Sequence, residues 1–195
     1  VLGEVAATGK RSLDVRVHEA TRDPEPAPSV TVVQALPKGD RGELAVEVLT
    51  EVGVARVVPW AASRSVAVWK GERAEKGLAK WRSTAREAAK QARRTWHPVV
   101  DPMAGTPRVA ELVAAADLAV VLHEDATTTL TGLEVPATGS LLVVVGPEGG
   151  IAAEELAAFT AAGATSVRLG SEVLRTSTAG VAAVAALLSR TSRWS

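Results

Sequence analysis

Residues 141–150 read Leu-Leu-Val-Val-Val-Gly-Pro-Glu-Gly-Gly: a run of five aliphatic side chains that breaks into a glycine-rich turn. An apolar run this short and this continuous reads as a strand buried on both faces, as in a parallel sheet. Gly146, Gly149 and Gly150 then allow positive φ and close approach of the backbone to a flat ligand. The loop is not a Walker A loop, because no Gly-Lys-Ser/Thr follows, and it is not Gly-x-Gly-x-x-Gly. Taken alone, it reads equally well as an ordinary strand-to-helix turn.

Downstream, the spacing predicts a helix over Ala152–Ala162, a strand over Ser166–Leu169 and a helix over Ala179–Arg190. Upstream, Val30–Leu36 reads as a buried strand. Asp40 and Glu43 form a variant of the capping box, with Asp in the Ser/Thr place. Leu44, Val48, Leu49 and Val52 define a helix face that Gly53 closes. Ala55–Val58 reads as a strand ended by Pro59. A long helix is predicted over Arg73–Thr95, its apolar face being Leu78, Trp81, Ala85, Ala88 and Ala92. A further helix leads into the strand Leu118–Leu122. Strands alternating with helices specify an α/β fold with a parallel sheet covered on both faces. Before this unit, Val1–Val17 alternates as two short strands around Thr8-Gly9-Lys10. The prolines of Asp23–Pro28 mark a boundary between residues 1–28 and 29–195.

With 195 residues, 47% of them hydrophobic, the chain can bury one sizeable core and a small appendage. Its net charge is zero, yet Arg73–Arg94 holds eight basic residues against two acidic, and Asp101–Ala162 nine acidic against one basic. The basic segment suits an anionic partner or a solvated helix face. There is no cysteine, so disulfides and thiolate metal sites are excluded. No apolar run approaches the ~18 residues of a membrane span and no signal peptide is visible, so a cytoplasmic protein without a membrane partner is expected. His18, His97 and His123 show no metal-ligand spacing, and no metal is expected.

Three loops follow predicted strands: Leu122-His123-Glu124, Gly146–Gly150 and Leu169–Thr176. In open α/β sheets ligands bind outside the carboxyl ends of the strands, so these loops are placed to share one crevice.

The residues Leu142–Gly150, followed by Leu169-Gly170, Val173-Leu174-Arg175-Thr176 and Thr178-Ala179, resemble the signature of the bacterial 16S ribosomal RNA (uracil-N(3))-methyltransferases, of the SPOUT class. Pro37-Lys-Gly-Asp-Arg41 with Glu51-Val-Gly53, Ser63-Arg64-Ser65, and Glu87-Ala88 with Gln91, Arg94 and Pro98 resemble other segments of that family. The resemblance implies a SPOUT-type parallel sheet with a C-terminal trefoil knot, preceded in residues 1–28 by the remnant of a PUA-like RNA-binding barrel. It implies methylation of a uridine N(3) in 16S ribosomal RNA with S-adenosyl-L-methionine as cofactor, the small ribosomal subunit or its RNA as partner, and a homodimer. Cofactor contact falls on Leu122, His123, Glu124, Gly146, Glu148, Gly150, Ile151, Leu169, Gly170, Val173, Leu174 and Arg175. RNA contact falls on Arg64, Lys90, Gln91 and Arg94. The family commonly has Glu where Ser177 stands and Asn where Thr95 stands.

Transfer to uracil N(3) is an in-line displacement on an unpaired base, whose proton must leave while negative charge grows on the ring oxygens. Arg175, permanently charged, suits stabilisation of that charge, or a helix-capping or phosphate-pairing role. Arg94 is the second catalytic candidate, placing phosphate or base, or else a solvated helix terminus. Glu148 orders its loop by accepting backbone amides, or takes the proton. Two other readings stand beside this one. One is a SPOUT enzyme with another acceptor such as a ribose 2′-hydroxyl, whose members typically have Ser-Leu-Asn where Val173-Leu174-Arg175 stands. The other is a non-catalytic RNA-binding or assembly module.

Overall fold

A computed structural model describes residues 1–194. Strands β1 (Leu2–Thr8) and β2 (Leu13–Glu19) form an antiparallel hairpin. Both of its faces are exposed along their whole length.

The main unit then runs β3 (Ser29–Ala35), α1 (Arg41–Glu51), β4 (Arg56–Trp60), α2 (Glu72–Gln91), β5 (Val99–Val100), α3 (Thr106–Ala114), β6 (Leu118–Leu122), β7 (Ser140–Val145), α4 (Ala153–Ala161), β8 (Thr165–Val167) and α5 (Thr176–Leu188). The six strands make one parallel sheet in the order β5-β4-β3-β7-β6-β8. The α/β class with a parallel sheet is therefore as expected.

Both faces of the sheet are buried, which is why its strands read as continuous aliphatic runs. Val30, Val32, Val120, Leu141, Val143 and Val145 pack with Leu49, Trp81, Val184 and Leu187. Their neighbours Val33, Ala35, Val121, Leu142 and Val144 pack with Val109, Val113 and Phe159 on the other face. Thus α1, α2 and α5 cover one side, and α3 and α4 the other. Of the apolar residues on α5, Val184 and Leu187 are core side chains of this chain.

Several local expectations are corrected. Asp40 makes no side-chain cap hydrogen bond. Glu43 instead meets Lys80 on α2 at 3.0 Å, so no capping box forms. The buried stripe of α1 is Gly42, Ala45, Val46 and Leu49, while Leu44 is exposed. Gly42 opens the stripe because the Trp81 indole lies against it: a Cβ there would sit 2.8 Å from its ring. Strand β4 does not end before Pro59. It continues to Trp60, pairing Pro59 with Gln34. The missing N–H is tolerated because β5, its other neighbour, pairs only with Arg56 and Val57.

The end of α1 follows the expectation for Gly53, whose φ is +106°. Gly53 N–H reaches the Thr50 carbonyl and Val54 N–H the Leu49 carbonyl, a Schellman closure. Helix α2 stops at Gln91, four residues early, and the chain reverses through Arg93 at φ +54°. Arg94 consequently leaves the helix.

Candidate active site

The loops after β6, β7 and β8 meet at one end of the sheet, around a cavity of about 780 Å³. Its lining includes all twelve residues expected to touch the cofactor, from Leu122 to Arg175, together with Arg64. Parallel strands place these loops side by side: β7 lies between β3 and β6, and β8 is paired to β6. Val145, Val167 and Ala179 supply buried apolar surface at the base.

The glycines do different things. A Cβ on Gly146 would lie 2.7 Å from Ile151 Cγ1, so that position is occupied by the chain's own side chain. A Cβ on Gly149 would lie 3.0 Å from the Arg64 carbonyl oxygen, so Gly149 seats the loop after β4. These two glycines thus also answer to internal packing, while both line the cavity. Of the three, Gly150 alone has positive φ, +74°, and the one atom near its Cβ position is Arg64 Nη1 at 4.0 Å.

Two carboxylates fasten the rim. Glu148 Oε1 accepts the Lys38 backbone N–H at 3.1 Å, an amide outside its own loop. Glu155, buried at the start of α4, accepts the Ser63 N–H at 2.9 Å, the Thr106 hydroxyl at 3.0 Å and the Ala152 N–H at 3.2 Å. His123 turns inward on its own loop: its Nδ1 accepts the Asp125 N–H at 3.2 Å. Its backbone N–H donates to Val167 O at 3.0 Å, binding β6 to the end of β8. Arg175 is the N-cap residue of α5, exposed at the rim, with its carbonyl accepting the Thr178 and Ala179 N–H groups. Ser177 is buried, and its hydroxyl has no partner among the described residues.

Arg94, expected at the reaction centre or on RNA, does not line this cavity. One of its guanidinium nitrogens donates to Thr50 O at 2.9 Å and Val54 O at 2.7 Å. Burial, with the neighbouring Arg193 charge, pushes its pKa down. Arg193 occupies the adjoining carbonyls of Gly53 and Pro28. Two cations thus close the negative end of α1, a structural use of Arg94. Lys90 and Gln91 are also remote from the cavity. Lys90 pairs with Glu87 at 2.7 Å, and Gln91 lines a shallow groove with Glu47, Glu51 and Glu87. Along that groove α2 contributes Glu87 and α1 contributes Glu47 and Glu51. Arg41, at the start of α1, lines the cavity; the sequence marks it only as the end of the family-like segment Pro37–Arg41, with no site role, because nothing near residue 41 shows that β3 runs beside β7.

Residues 23–188 match the model of the RNA methyltransferase domain family. A ribosomal RNA small subunit methyltransferase E from Mycobacterium bovis is 50% identical over 194 residues, spanning 97% of this chain and 74% of the relative. The Bacillus subtilis protein of the same name is 30% identical over 192 residues, spanning 94% and 75%. Among solved structures, a ribosomal RNA small subunit methyltransferase E from Neisseria gonorrhoeae, bound to S-adenosyl methionine, superposes with a TM-score of 0.82 at 29% identity. That match covers 96% of this chain and 77% of the other.

Proposed function

The chain belongs to the RNA methyltransferase domain family, among the ribosomal RNA small subunit methyltransferases E, and we propose from this that it methylates N(3) of a uridine in 16S ribosomal RNA with S-adenosylmethionine as donor. The observation that carries the proposal is the convergence of Leu122–Glu124, Gly146–Ile151 and Leu169–Arg175 on one cavity.

The residues present fit that cofactor. The cavity falls in the ~300–1,000 Å³ range of small-molecule sites. Val145, Val167 and Ala179 offer an apolar seat for adenine. Among the described residues, the amides of Leu169–Arg175 donate to no backbone carbonyl, leaving them available to a ligand's polar atoms. Gly150 presents its backbone with only the Arg64 guanidinium at van der Waals distance. Contact is assigned to Leu122, His123, Glu124, Gly146, Glu148, Gly150, Ile151, Leu169, Gly170, Val173, Leu174 and Arg175.

When bound, the donor supplies a methyl group on a sulfonium. The chain's part is to hold the uracil edge in line with it, a positional contribution. Arg175, exposed at the cavity rim, stabilises the negative charge that grows on the ring oxygens as the N(3) proton departs. Glu148 holds Lys38, and its role is to order the loop.

Further parts of the proposal concern architecture. The trefoil knot closes where Leu169–Thr176 returns from β8, at one edge of the sheet, to α5, whose Gly180 lies against Leu49 and Val145. Residues 1–28 are the end of a PUA-like barrel, residues 29–195 the SPOUT domain, and the working unit is a cytoplasmic homodimer. Among the described residues, no helix is long and apolar enough to cross a membrane.

Calorimetry with S-adenosylmethionine, followed by transfer of labelled methyl to small-subunit RNA, tests the reading. Saturable cofactor binding with label recovered at a uridine N(3) is expected. No heat at millimolar cofactor would overturn it.

A further inference from the structure

The cavity has two flanks, because β7 sits in the middle of the sheet with β6 and β8 on one side and β3 and β4 on the other. The β6–β8 flank carries Glu124, Asp125 and Glu172 beside Arg168 and Arg175. The β3–β4 flank brings in Arg41 and Arg64. Glu148 stands between the flanks, with one oxygen already accepting the Lys38 N–H.

We infer that Arg41, beside the Arg64 that the resemblance already implies as an RNA contact, forms a phosphate subsite for the acceptor RNA strand on the β3–β4 flank, across the Gly149–Gly150 turn from the loops after β6 and β8. This deepens the proposed function and rests on it.

Three observations support the assignment. First, the two guanidinium groups are uncommitted: among the described residues neither meets a carboxylate, a carbonyl or a hydroxyl. Arg56, Arg94, Arg190 and Arg193, by contrast, are all engaged. Arg41 is also half-buried. A partly desolvated cation without a partner gains most from an anionic ligand.

Second, both loops are held firmly. Lys38, three residues before Arg41, is gripped by Glu148, and Ser63, next to Arg64, is gripped by the buried Glu155. The Arg64 carbonyl rests against Gly149. Guanidinium groups on anchored loops lose less freedom when they bind.

Third, the charges are sorted. The flank with three carboxylates also holds Arg168 and Arg175, a mixed set that suits a donor bearing a sulfonium, an ammonium and a carboxylate. The cationic flank suits a polyanion, and two guanidinium forks match phosphate oxygens in geometry.

The test measures binding of a fluorescent single-stranded oligonucleotide of small-subunit RNA sequence over a series of KCl concentrations, alongside calorimetry with S-adenosylmethionine. Arg41→Gln should weaken RNA binding about tenfold. It should also flatten the plot of log K against log[KCl] by about 0.7 to 1, the share of one phosphate contact. Arg41→Lys should keep the slope, Arg64→Gln should repeat the Arg41→Gln result, and cofactor affinity should stay within about twofold throughout. A tenfold loss of cofactor affinity with an unchanged RNA slope would overturn the inference, placing Arg41 on the cofactor's carboxylate. An unchanged slope with unchanged cofactor affinity would overturn it as well, leaving Arg41 a solvated residue. If the parent chain binds the cofactor but shows no salt-dependent RNA binding, this inference fails alone. If the parent chain binds no cofactor, the methyltransferase reading fails.

Discussion

At the scale of single residues, the cavity separates groups that serve a ligand from groups that serve the chain. Arg175, proposed for the first group, is exposed at the rim while its backbone caps α5. Replacing it with Ala leaves that carbonyl cap in place. Arg175→Ala is therefore expected to keep cofactor affinity and lose methyl transfer by about 10²–10³-fold, the usual worth of one group that stabilises developing charge. Calorimetry and single-turnover transfer separate the two effects, and parallel loss of both would assign Arg175 to the cofactor pocket. Gly150→Val should abolish cofactor binding, because a β-branched side chain at φ +74° must move the loop. Retained affinity would show that the ligand lies elsewhere. Gly146 looks the same in the sequence but answers to Ile151, so its replacement acts first on packing.

At the scale of elements, α1 is the most instructive helix. Its end is closed by Gly53 and by two arginines from distant parts of the chain, and its flank is set by Trp81. Gly42→Ala places a methyl group 2.8 Å from an indole that is 2% exposed and has nowhere to move. The expected cost is about 1–3 kcal/mol, read as a lower urea midpoint with an unchanged slope. An unchanged midpoint would mean that α1 and α2 slide apart freely. The start of β7 offers a pH-dependent counterpart. Asp117 Oδ2 accepts the Ser140 hydroxyl at 2.7 Å and its N–H at 2.8 Å, and these hydrogen bonds hold its carboxyl below the ordinary 3.8. A depressed carboxylate pKa adds stability that is fully present above the unfolded value and is lost as pH falls through the folded value. The gap in urea midpoint between the parent and Asp117→Asn should accordingly be largest near neutral pH and narrow below about pH 4. A constant gap would show that the carboxylate's charge is not what holds Ser140.

At the scale of the whole molecule, burial is unevenly distributed. The β1–β2 hairpin exposes Leu2, Val5, Leu13, Val15 and Val17, while β3 and β7 lie within the sheet with nearly every side chain buried. Amide exchange should be fastest in β1 and β2 and slowest in β3 and β7, because local opening follows buried apolar contact. Protection of the hairpin equal to that of β7 would contradict this. The sequence by itself determined the class of fold and the end of the sheet where the three loops gather. Aliphatic runs such as Leu141–Val145, and turns such as Gly146–Gly150, are short-range signals of strands and loops. In a parallel sheet the carboxyl ends must then fall together. Only the tertiary structure decided which charged side chains serve that end. Arg94 resembles an RNA-facing residue, yet it is spent on Thr50, forty-four residues away, and Glu155 reaches Ser63 across ninety-two. Arg41 closes a family-like segment that says nothing of a site, and it arrives at the cavity because β3 pairs with β7. The physical reason is one of range: periodicity and turn chemistry are written among neighbours, whereas the partner of a guanidinium or a buried carboxylate is set by which distant segments the folded sheet brings within hydrogen-bonding distance.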